Sequence, residues 1–505
     1  MKKKALFTFL ILFAFVLALS FAASANDPAD GNGVVSLERF NVLKSDNPFL
    51  PKSILFDIDE STKTISCRFP ISEAYGCDVL ADVSYSHKNE KLSLSLADGE
   101  KIGITGEDGG SSVYTLKIEK PDFVLPCVYI SRNDRLAGFD REQYTRVDIA
   151  YLDGDKTEYV QNANMKIRGN STSGFEKKPY RLKFGYPVEF GGMGAFKNWV
   201  LLANYTDKSL IHTDLATIIA KELPGQTYVP DMEQVRVFID GSYWGLYDLG
   251  HHVEVAEGKI ELGDTDSAEC GFFLEIDARY YEEGYELGKN CFMVDNSYFC
   301  IKEPKDLTEE QFKYVRDYVL NVDKLIKAKD EKVFDYIDVD SFVDWFITNE
   351  YALNNDCAMF LSVFFYKNSE GKLCIGPIWD FDLAFGNYLA GGNYTGTGWA
   401  IKHSMWWNEL CEIDLFEETL LEHWTNFSQN TIPKLNEYVD MFEEKYADAY
   451  NENFRRWKIL GVYVWDNPDN VAKAATMEEQ FKVLRDYMKI RKEWLDSNIK
   501  RICTD

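Results

Sequence analysis

Apolar and polar residues alternate along much of the first 120 positions, in short runs separated by turn residues. The alternating runs are Ser53–Phe56, Thr64–Phe69, Val79–Ser84, Leu92–Leu96 and Val113–Ile118. An alternation with a period of two predicts half-buried strands, and Asp, Gly and Lys-Asn turns between the runs support this. Residues 27–122 are therefore expected to form an all-β sandwich that serves as an accessory domain, ending in a linker at 120–122.

From Val124 onward, apolar runs alternate with longer amphipathic stretches. Predicted strands cover 128–130, 147–151, 177–184, 198–203, 235–239, 243–249, 271–277 and 297–302. A period of 3.6 residues predicts helices over Ser209–Glu222, Thr308–Ala328 and Val333–Asn349. Beyond Glu409 the pattern is mostly helical. These patterns predict an α+β domain at 124–410 and a helical C-terminal extension at 411–505.

The first 25 residues have the pattern of a secretory signal peptide. Three lysines precede an apolar stretch at 5–22, and Ala23-Ser24-Ala25 follows as a cleavage site. Cleavage after Ala25 predicts a secreted protein, extracellular or on the cell surface. Membrane attachment is expected only if this segment stays uncleaved, because no other segment is apolar enough to span a membrane.

Charge and cysteine content narrow the range of partners. The formal net charge is −27 at pH 7, which argues against non-specific nucleic-acid binding. It suggests a basic protein partner, although a solvated acidic surface is the more common explanation of such a charge. The ten cysteines form no CxxC pair and no zinc-binding pattern. Cys67 with Cys77, and Cys291 with Cys300, are close enough to close small disulfide loops, and buried free thiols are the alternative.

The stretch 354–386 places acidic residues at both ends of a predicted β-hairpin. Its strands cover 360–367 and 373–379, with a polar turn at 368–371. Asp356 precedes the first strand, and Asp380 and Asp382 follow the second. Because an antiparallel hairpin brings its outer ends together, the three carboxylates are expected to meet. Carboxylates at one place favour a hard cation, Mg²⁺ or Mn²⁺, although each aspartate alone suits a helix cap or a turn.

A basic segment in the first half of the α+β domain forms a possible counterpart to these acids. A predicted strand enters the loop Gly169-Asn170-Ser171-Thr172-Ser173-Gly174, and Lys178, Arg181 and Lys183 follow. Glycines and small hydroxyl residues let backbone N–H groups approach an anion, and nearby basic side chains neutralise it. A phosphate is the anion that this loop suits best. Phosphoryl transfer requires such a phosphate-binding loop together with metal-binding aspartates and one further aspartate for the acceptor hydroxyl.

Four segments in this order resemble the CotH kinase family, the spore coat protein H-like proteins. They are KIRGNSTSGFEKKPYRLKF (166–184), NWVLLANYTDKSLI (198–211), FIDGSYWGLYDL (238–249) and IWDFDLAFGN (378–387). The resemblance covers roughly 125–386. It implies an atypical protein-kinase-like fold in a secreted enzyme that uses ATP and Mg²⁺ or Mn²⁺ to phosphorylate Ser or Thr of extracellular or coat proteins.

The resemblance also implies roles for individual residues. Asp356 corresponds to the catalytic aspartate and Lys178 to the phosphate-binding lysine, with the adjacent Lys177 as the alternative. Arg168, Ser171 and Arg181 are expected at the nucleotide phosphates. Asp380 is the implied metal ligand, with Asp382 supporting it.

Three departures from the family pattern keep other functions open. His212-Thr213 replaces a basic residue and Asn, Gly250-His251 replaces a Thr-Glu pair, and Ser362 occupies the position of an Asn that is a second metal ligand. A catalytically degenerate surface or scaffold protein of the same fold is therefore the first alternative. The second is a carbohydrate-binding or carbohydrate-active exported protein, with Trp399, Trp406 and Trp407 stacking on sugars.

Overall fold

A computed structural model describes residues 35–48, 50, 53–67, 77–107, 109–118, 125–134, 138–153, 156–240 and 242–502. The predicted signal peptide and the predicted linker at 120–122 lie outside these residues. The chain divides into two compact units, Met1–Pro121 and Asp122–Asp505. No helix among the described residues is long and apolar enough to cross a membrane.

The first unit is built from seven strands. They are β1 (Leu37–Val42), β2 (Ile54–Asp59), β3 (Thr64–Cys67), β4 (Asp78–Tyr85), β5 (Lys88–Ser95), β6 (Lys101–Thr105) and β7 (Ser111–Lys117), paired in the order β5-β4-β1-β2-β3-β7-β6. Apolar residues of strands at both ends of this order pack into one core, so the sheet folds around that core. The backbone N–H of Leu37 on β1 donates to the Tyr114 hydroxyl on β7 at 2.8 Å. This bond links two strands that are not neighbours in the sheet.

This arrangement agrees with the β-rich character predicted from the sequence. All five alternating runs overlap observed strands. The strands β1 and β6 were not predicted, because neither has a long enough alternation to distinguish it from a turn-rich segment.

The second unit begins with a closed seven-stranded barrel. Its strands are β8 (Cys127–Arg132), β9 (Thr145–Asp153), β10 (Lys156–Ile167), β11 (Tyr180–Glu189), β12 (Ala195–Leu202), β13 (Met232–Ile239) and β14 (Ser242–His251), in the order β10-β11-β12-β14-β13-β8-β9. Every pairing is antiparallel except β8 with β13. The interior is filled by alternate residues of these strands, with Trp199 fully buried among Phe190, Phe196 and His251.

A second sheet and the helices complete this unit. The strands β15 (Phe272–Ile276), β16 (Cys291–Val294), β17 (Ser297–Glu303), β18 (Val363–Lys367) and β19 (Leu373–Ile375) form an antiparallel sheet in the order β16-β17-β15-β18-β19. The helices are α1 (His212–Glu222), α2 (Glu309–Lys327), α3 (Val339–Ala352), α4 (Trp407–Cys411), α5 (Asp414–Asn426), α6 (Ile432–Lys445), α7 (Ala447–Arg456), α8 (Asp469–Lys473) and α9 (Met477–Asn498). One core joins the sheet to every one of these helices except α8, so the helical residues after 410 pack into the same interior.

Several elements differ in their bounds from the sequence prediction. The strand predicted at 177–184 begins only at Tyr180. The helix predicted over Val333–Asn349 is a 3₁₀ turn at Glu331–Asp335 followed by α3, because the Asp338 side chain caps a new helix by accepting from the Ser341 amide at 2.8 Å. The helix predicted over Thr308–Ala328 is confirmed as α2, with Thr308 as its N-cap.

The tryptophans proposed to stack on sugars are mostly core residues. Trp407 is fully buried and stacks on Trp345, with ring centroids 5.3 Å apart. Trp406 is also buried, and its indole N–H donates to Asp323 at 2.9 Å. The proposed sugar-stacking role is therefore wrong for these two residues, because neither ring has a face open to a ligand.

The cysteines Cys291 and Cys300 face each other across β16 and β17. Their sulfur atoms lie 3.4 Å apart, and both are buried free thiols in this structure. The side chain of Cys67 lies outside the described residues.

Candidate functional site

The predicted hairpin at 354–386 is confirmed. Strands β18 and β19 pair antiparallel, with Phe365 opposite Ile375 and Lys367 opposite Leu373. The segments before and after the hairpin therefore return to one place. Asp356, Asp380 and Asp382 all line a single cavity of about 480 Å³ in the second unit.

The three carboxylates affect one another electrostatically. Burial, and then the negative charge of Asp380, raises the pKa of Asp356 to about 6. The same two causes, in the same order, raise the pKa of Asp382. Carboxylates that resist ionisation because of their neighbours favour a cation among them.

The backbone and neighbouring side chains hold the two later aspartates in place. Asp380 has a φ of 68°, in the left-handed region that non-glycine residues seldom occupy and that is concentrated at functional sites. Its carboxylate accepts from the Ser362 hydroxyl at 3.3 Å. The Asp382 carboxylate accepts from the Thr206 hydroxyl at 3.0 Å, and its backbone carbonyl accepts from the Asn387 amide at 2.9 Å. Oxygen atoms of both carboxylates remain available to a ligand.

Basic residues from the barrel line the same cavity. Arg168 directly follows β10, Ser171 begins a short 3₁₀ turn, and Arg181 lies on β11. The Arg168 guanidinium stacks on the Trp379 ring, 5.3 Å from its centroid. Arg181 donates from one terminal nitrogen to Asn198 at 3.2 Å, but its buried Nε has no hydrogen-bond partner. These arginines therefore retain donors for an anion.

The structure does not bring Lys178 or Lys177 to the cavity wall. The Lys178 ammonium donates to the Ser173 carbonyl at 2.7 Å and so braces the 171–174 turn. Lys177 is buried, donates to the Leu246 carbonyl and lies over the Tyr247 ring. Burial lowers the pKa of Lys177 to about 7.

Sequence reasoning missed a group of cavity residues on and beside the second sheet. They are His252, Glu275, Asp277, Arg279, Glu283 and Lys302. On β15, Phe272, Leu274 and Ile276 enter the core, so the intervening Glu275 is directed to the other face, where Lys302 on β17 forms an ion pair with it. The sequence signal for this group was Glu275, a charged residue within the otherwise apolar strand β15.

A narrower, more apolar recess continues from this cavity. Arg168, Thr172, Trp379, Asp380 and Asp382 line both spaces. The recess is otherwise formed by residues of β12, α1 and the segments beside them, and it contains Leu202, Ala203, Tyr205, Ala216, Met232, Ile378 and Phe381. The recess holds about 50 Å³, well below the roughly 150 Å³ of a cavity that binds benzene, so a ring system does not fit in it. The larger cavity has room for a charged ligand among the arginines and aspartates.

The donor set fits a metal ion that a ligand helps to hold. Among the described residues, no group of three or more His, Cys, Asp and Glu side chains is arranged to hold a metal alone. Mg²⁺ is usually bound by one or two carboxylates, with phosphate and water oxygens completing its shell. Asp380 and Asp382 supply hard oxygen ligands of that kind.

Comparison with known proteins identifies the second unit. A family model described as CotH kinase protein matches residues 165–495, which is more than half of the 505-residue chain. The matched region contains the whole of the cavity except its rim at residues 141–142. A search of curated proteins gives no match.

Proposed function

The chain belongs to the CotH kinase protein family, and we propose that it transfers the γ-phosphoryl group of ATP to Ser or Thr hydroxyls of other proteins. The observation that carries this proposal is the convergence of Asp356, Asp380 and Asp382 with Arg168 and Arg181 on one cavity. Phosphoryl transfer depends on positioning and charge stabilisation, which such a set provides. The barrel and the helical part are proposed to correspond to the two lobes of an atypical protein kinase.

The larger cavity suggests how ATP is held. ATP would lie there, with its triphosphate extending toward Arg168, Arg181 and the turn at Ser171. Asp380 and Asp382 would hold Mg²⁺ or Mn²⁺, which would supply neutralisation of the phosphate charge. Trp379 holds the Arg168 guanidinium by stacking, which limits the motion of that side chain.

Asp356 is the proposed base for the acceptor. Its carboxylate takes the proton of the Ser or Thr hydroxyl as that oxygen forms a bond to the γ-phosphorus. The bond between the γ-phosphorus and the bridging oxygen breaks, and its electron pair remains on the β-phosphate of ADP. The products are a phosphoprotein and ADP, with the proton on Asp356.

Secretion and a basic protein acceptor are part of the same proposal. The signal-peptide pattern at 1–25 supports export, and the net charge of −27 favours a positively charged partner.

A transfer assay tests the proposed reaction. The full-length protein is incubated with γ-labelled ATP, Mg²⁺ or Mn²⁺ and a basic Ser-rich protein, beside the Asp356→Asn and Asp380→Asn variants. We expect incorporation of label by the wild type and losses of roughly 10²-fold or more in both variants. Absence of label from the wild-type reaction, together with no thermal shift by ATP and metal, would reject the proposal.

Ser362 favours one second candidate, a nucleotide-binding protein with little transfer activity. A hydroxyl that already donates to Asp380 is a weaker metal ligand than the amide oxygen that the family pattern has there. This candidate predicts a thermal shift by ATP and metal without label transfer, and recovery of transfer in the Ser362→Asn variant.

A further inference from the structure

Arg279 is a cavity residue with no role in the site as described so far. It follows β15 and lines the same cavity as Asp356, Asp380, Arg168 and Arg181. Arg168 and Arg181 come from the barrel, whereas Arg279 comes from the second sheet. The cavity therefore has positive side chains from both structural parts of the second unit.

The turn that carries Arg279 is held by three independent contacts. The Asp277 carboxylate, on a buried side chain, accepts from the Arg279 amide at 2.7 Å. The Ala278 amide donates to the Phe360 carbonyl at 3.1 Å, which ties the turn to the 356–362 segment. The Tyr280 ring stacks on Tyr298 with centroids 4.4 Å apart. These contacts fix the backbone from which the Arg279 side chain extends into the cavity, which limits the reorganisation needed when negative charge develops there.

The Arg279 guanidinium is poorly satisfied within the protein. Its nearest carboxylate oxygen, on Asp277, lies 3.7 Å from Nε, whereas a charge-assisted hydrogen bond is about 2.7–2.9 Å long. The same Nε is buried and has no hydrogen-bond partner. Lys302 differs, because Glu275 already neutralises it. The terminal nitrogens of the guanidinium also make no hydrogen bond to another described residue, and the side chain is partly exposed in the cavity, so an anionic ligand there can accept from them.

We propose that Arg279 stabilises the transition state of phosphoryl transfer by donating to the oxygens of the γ-phosphoryl group as it moves to the acceptor. The proposal rests on the proposed kinase function. Negative charge is spread over these oxygens in the transition state, and an arginine supplied within the chain can stabilise it. Arg168 and Arg181 then bind the triphosphate in the ground state, and Arg279 acts mainly on the chemical step.

The experiment compares Arg279→Met and Arg279→Lys with the matched control Arg316→Met in the full-length protein. Arg316 on α2 is 38% exposed and contacts the neighbouring Asp317, much as Arg279 is 32% exposed and contacts Asp277. We expect Arg279→Met to lower kcat by roughly 10²–10³-fold with little change in the KM for ATP. Arg279→Lys should recover part of the loss, and Arg316→Met should match the wild type. Melting temperatures within about 2 °C of the wild type would establish that the variants are folded.

Binding of ADP with aluminium fluoride, a mimic of the transferring phosphoryl group, provides a second readout. Calorimetry should show that fluoride tightens ADP binding to the wild type by about a hundredfold, and that Arg279→Met loses this gain. A wild-type kcat in Arg279→Met, or a loss confined to KM, would overturn this inference and leave the kinase function intact. A wild type with neither transfer nor fluoride-dependent tightening would overturn both.

Discussion

At the scale of single residues, protonation of Asp356 controls the proposed reaction. Burial and the charge of Asp380 raise its pKa to about 6, and a general base must be deprotonated. We therefore expect kcat/KM to rise with pH through about 6 and level off above it, falling roughly tenfold for each pH unit below. Initial rates between pH 5 and 8.5 test this. A profile that stays flat down to pH 5 would contradict the assignment.

Arg168 and Lys178 offer a direct comparison of two predicted phosphate-binding residues. Arg168 lines the cavity and its guanidinium makes no hydrogen bond to another described residue, whereas the Lys178 ammonium braces the Ser173 carbonyl. A hydrogen bond to a charged group contributes about 1.5–3 kcal/mol, so Arg168→Met should raise the KM for ATP by roughly tenfold or more. Lys178→Met should change it by less than about threefold. Steady-state kinetics with varied ATP tests this, and the reverse order of effects would restore Lys178 as the phosphate ligand.

The sequence predicts the positions of the three aspartates in the cavity better than those of Lys177 and Lys178, for a physical reason. Asp356, Asp380 and Asp382 are fixed by the hairpin between them, and hairpin pairing follows directly from alternation and turn residues. The orientation of Lys177 and Lys178 depends on where β11 begins, and strand ends are weakly marked in sequence. Arg279 was missed because its importance comes from an unpaired donor, which only three-dimensional packing reveals.

At the scale of elements, a buried ion pair joins helices α3 and α9 and also holds the backbone of residues 400–402. Glu350 on α3 and Arg491 on α9 are buried, with 2.9 Å between their charged groups. The Glu350 carboxylate also accepts the amides of Ala400, Ile401 and Lys402. Arg491 donates as well to the Glu350 carbonyl at 2.8 Å. The pair therefore positions α9 against the helix that precedes the 354–386 hairpin.

Breaking this pair should destabilise the second unit strongly. Because removal of one partner leaves an uncompensated buried charge, Arg491→Met and Glu350→Gln should each lower the free energy of unfolding by about 3–5 kcal/mol. The double variant should lose less free energy of unfolding than the sum of the losses in the two single variants. Urea denaturation measures these values. Arg485→Met, which breaks exposed pairs on the same helix, is the control and should cost less than about 1 kcal/mol. If the losses in the single variants add up to the loss in the double variant, Glu350 and Arg491 do not stabilise the protein through their mutual interaction.

Whether a segment is a helix or a strand follows from the sequence more reliably than which strands pair with one another. The amphipathic period predicts α2, and alternation predicts β13, β14 and β18. The pairing of β12 with β14, and the parallel pairing of β8 with β13, join segments that are distant in sequence and carry no signal for one another. Such long-range pairing is decided by packing of the whole unit.

At the scale of the whole molecule, the helices after residue 410 complete the core that supports the site. The Tyr487 hydroxyl on α9 donates to the Tyr351 carbonyl at 2.7 Å, and its ring lies edge-on to Phe385, with centroids 6.1 Å apart. Tyr351 precedes the segment that carries Asp356, and Phe385 follows Asp382. The Tyr351 ring also packs against Phe427 at 5.0 Å. Removal of the helices after residue 410 would expose Tyr351 and Phe385, and with them one side of the segments that carry Asp356 and Asp382.

We therefore expect residues 122–505 to be the smallest part of the second unit that folds cooperatively. A fragment of residues 122–505 should unfold in a single thermal transition, because its core is separate from that of the first unit. A fragment of residues 122–410 should lack this transition and bind a hydrophobic dye, because Phe385, Tyr351 and Trp407 lose their partners from α5 to α9. Near-ultraviolet circular dichroism and dye fluorescence of the two fragments measure the difference. A cooperative transition in 122–410, at the temperature found for 122–505, would show instead that the helices are an independent extension, and the aspartate-bearing segments would then be supported by the sheet and α3 alone.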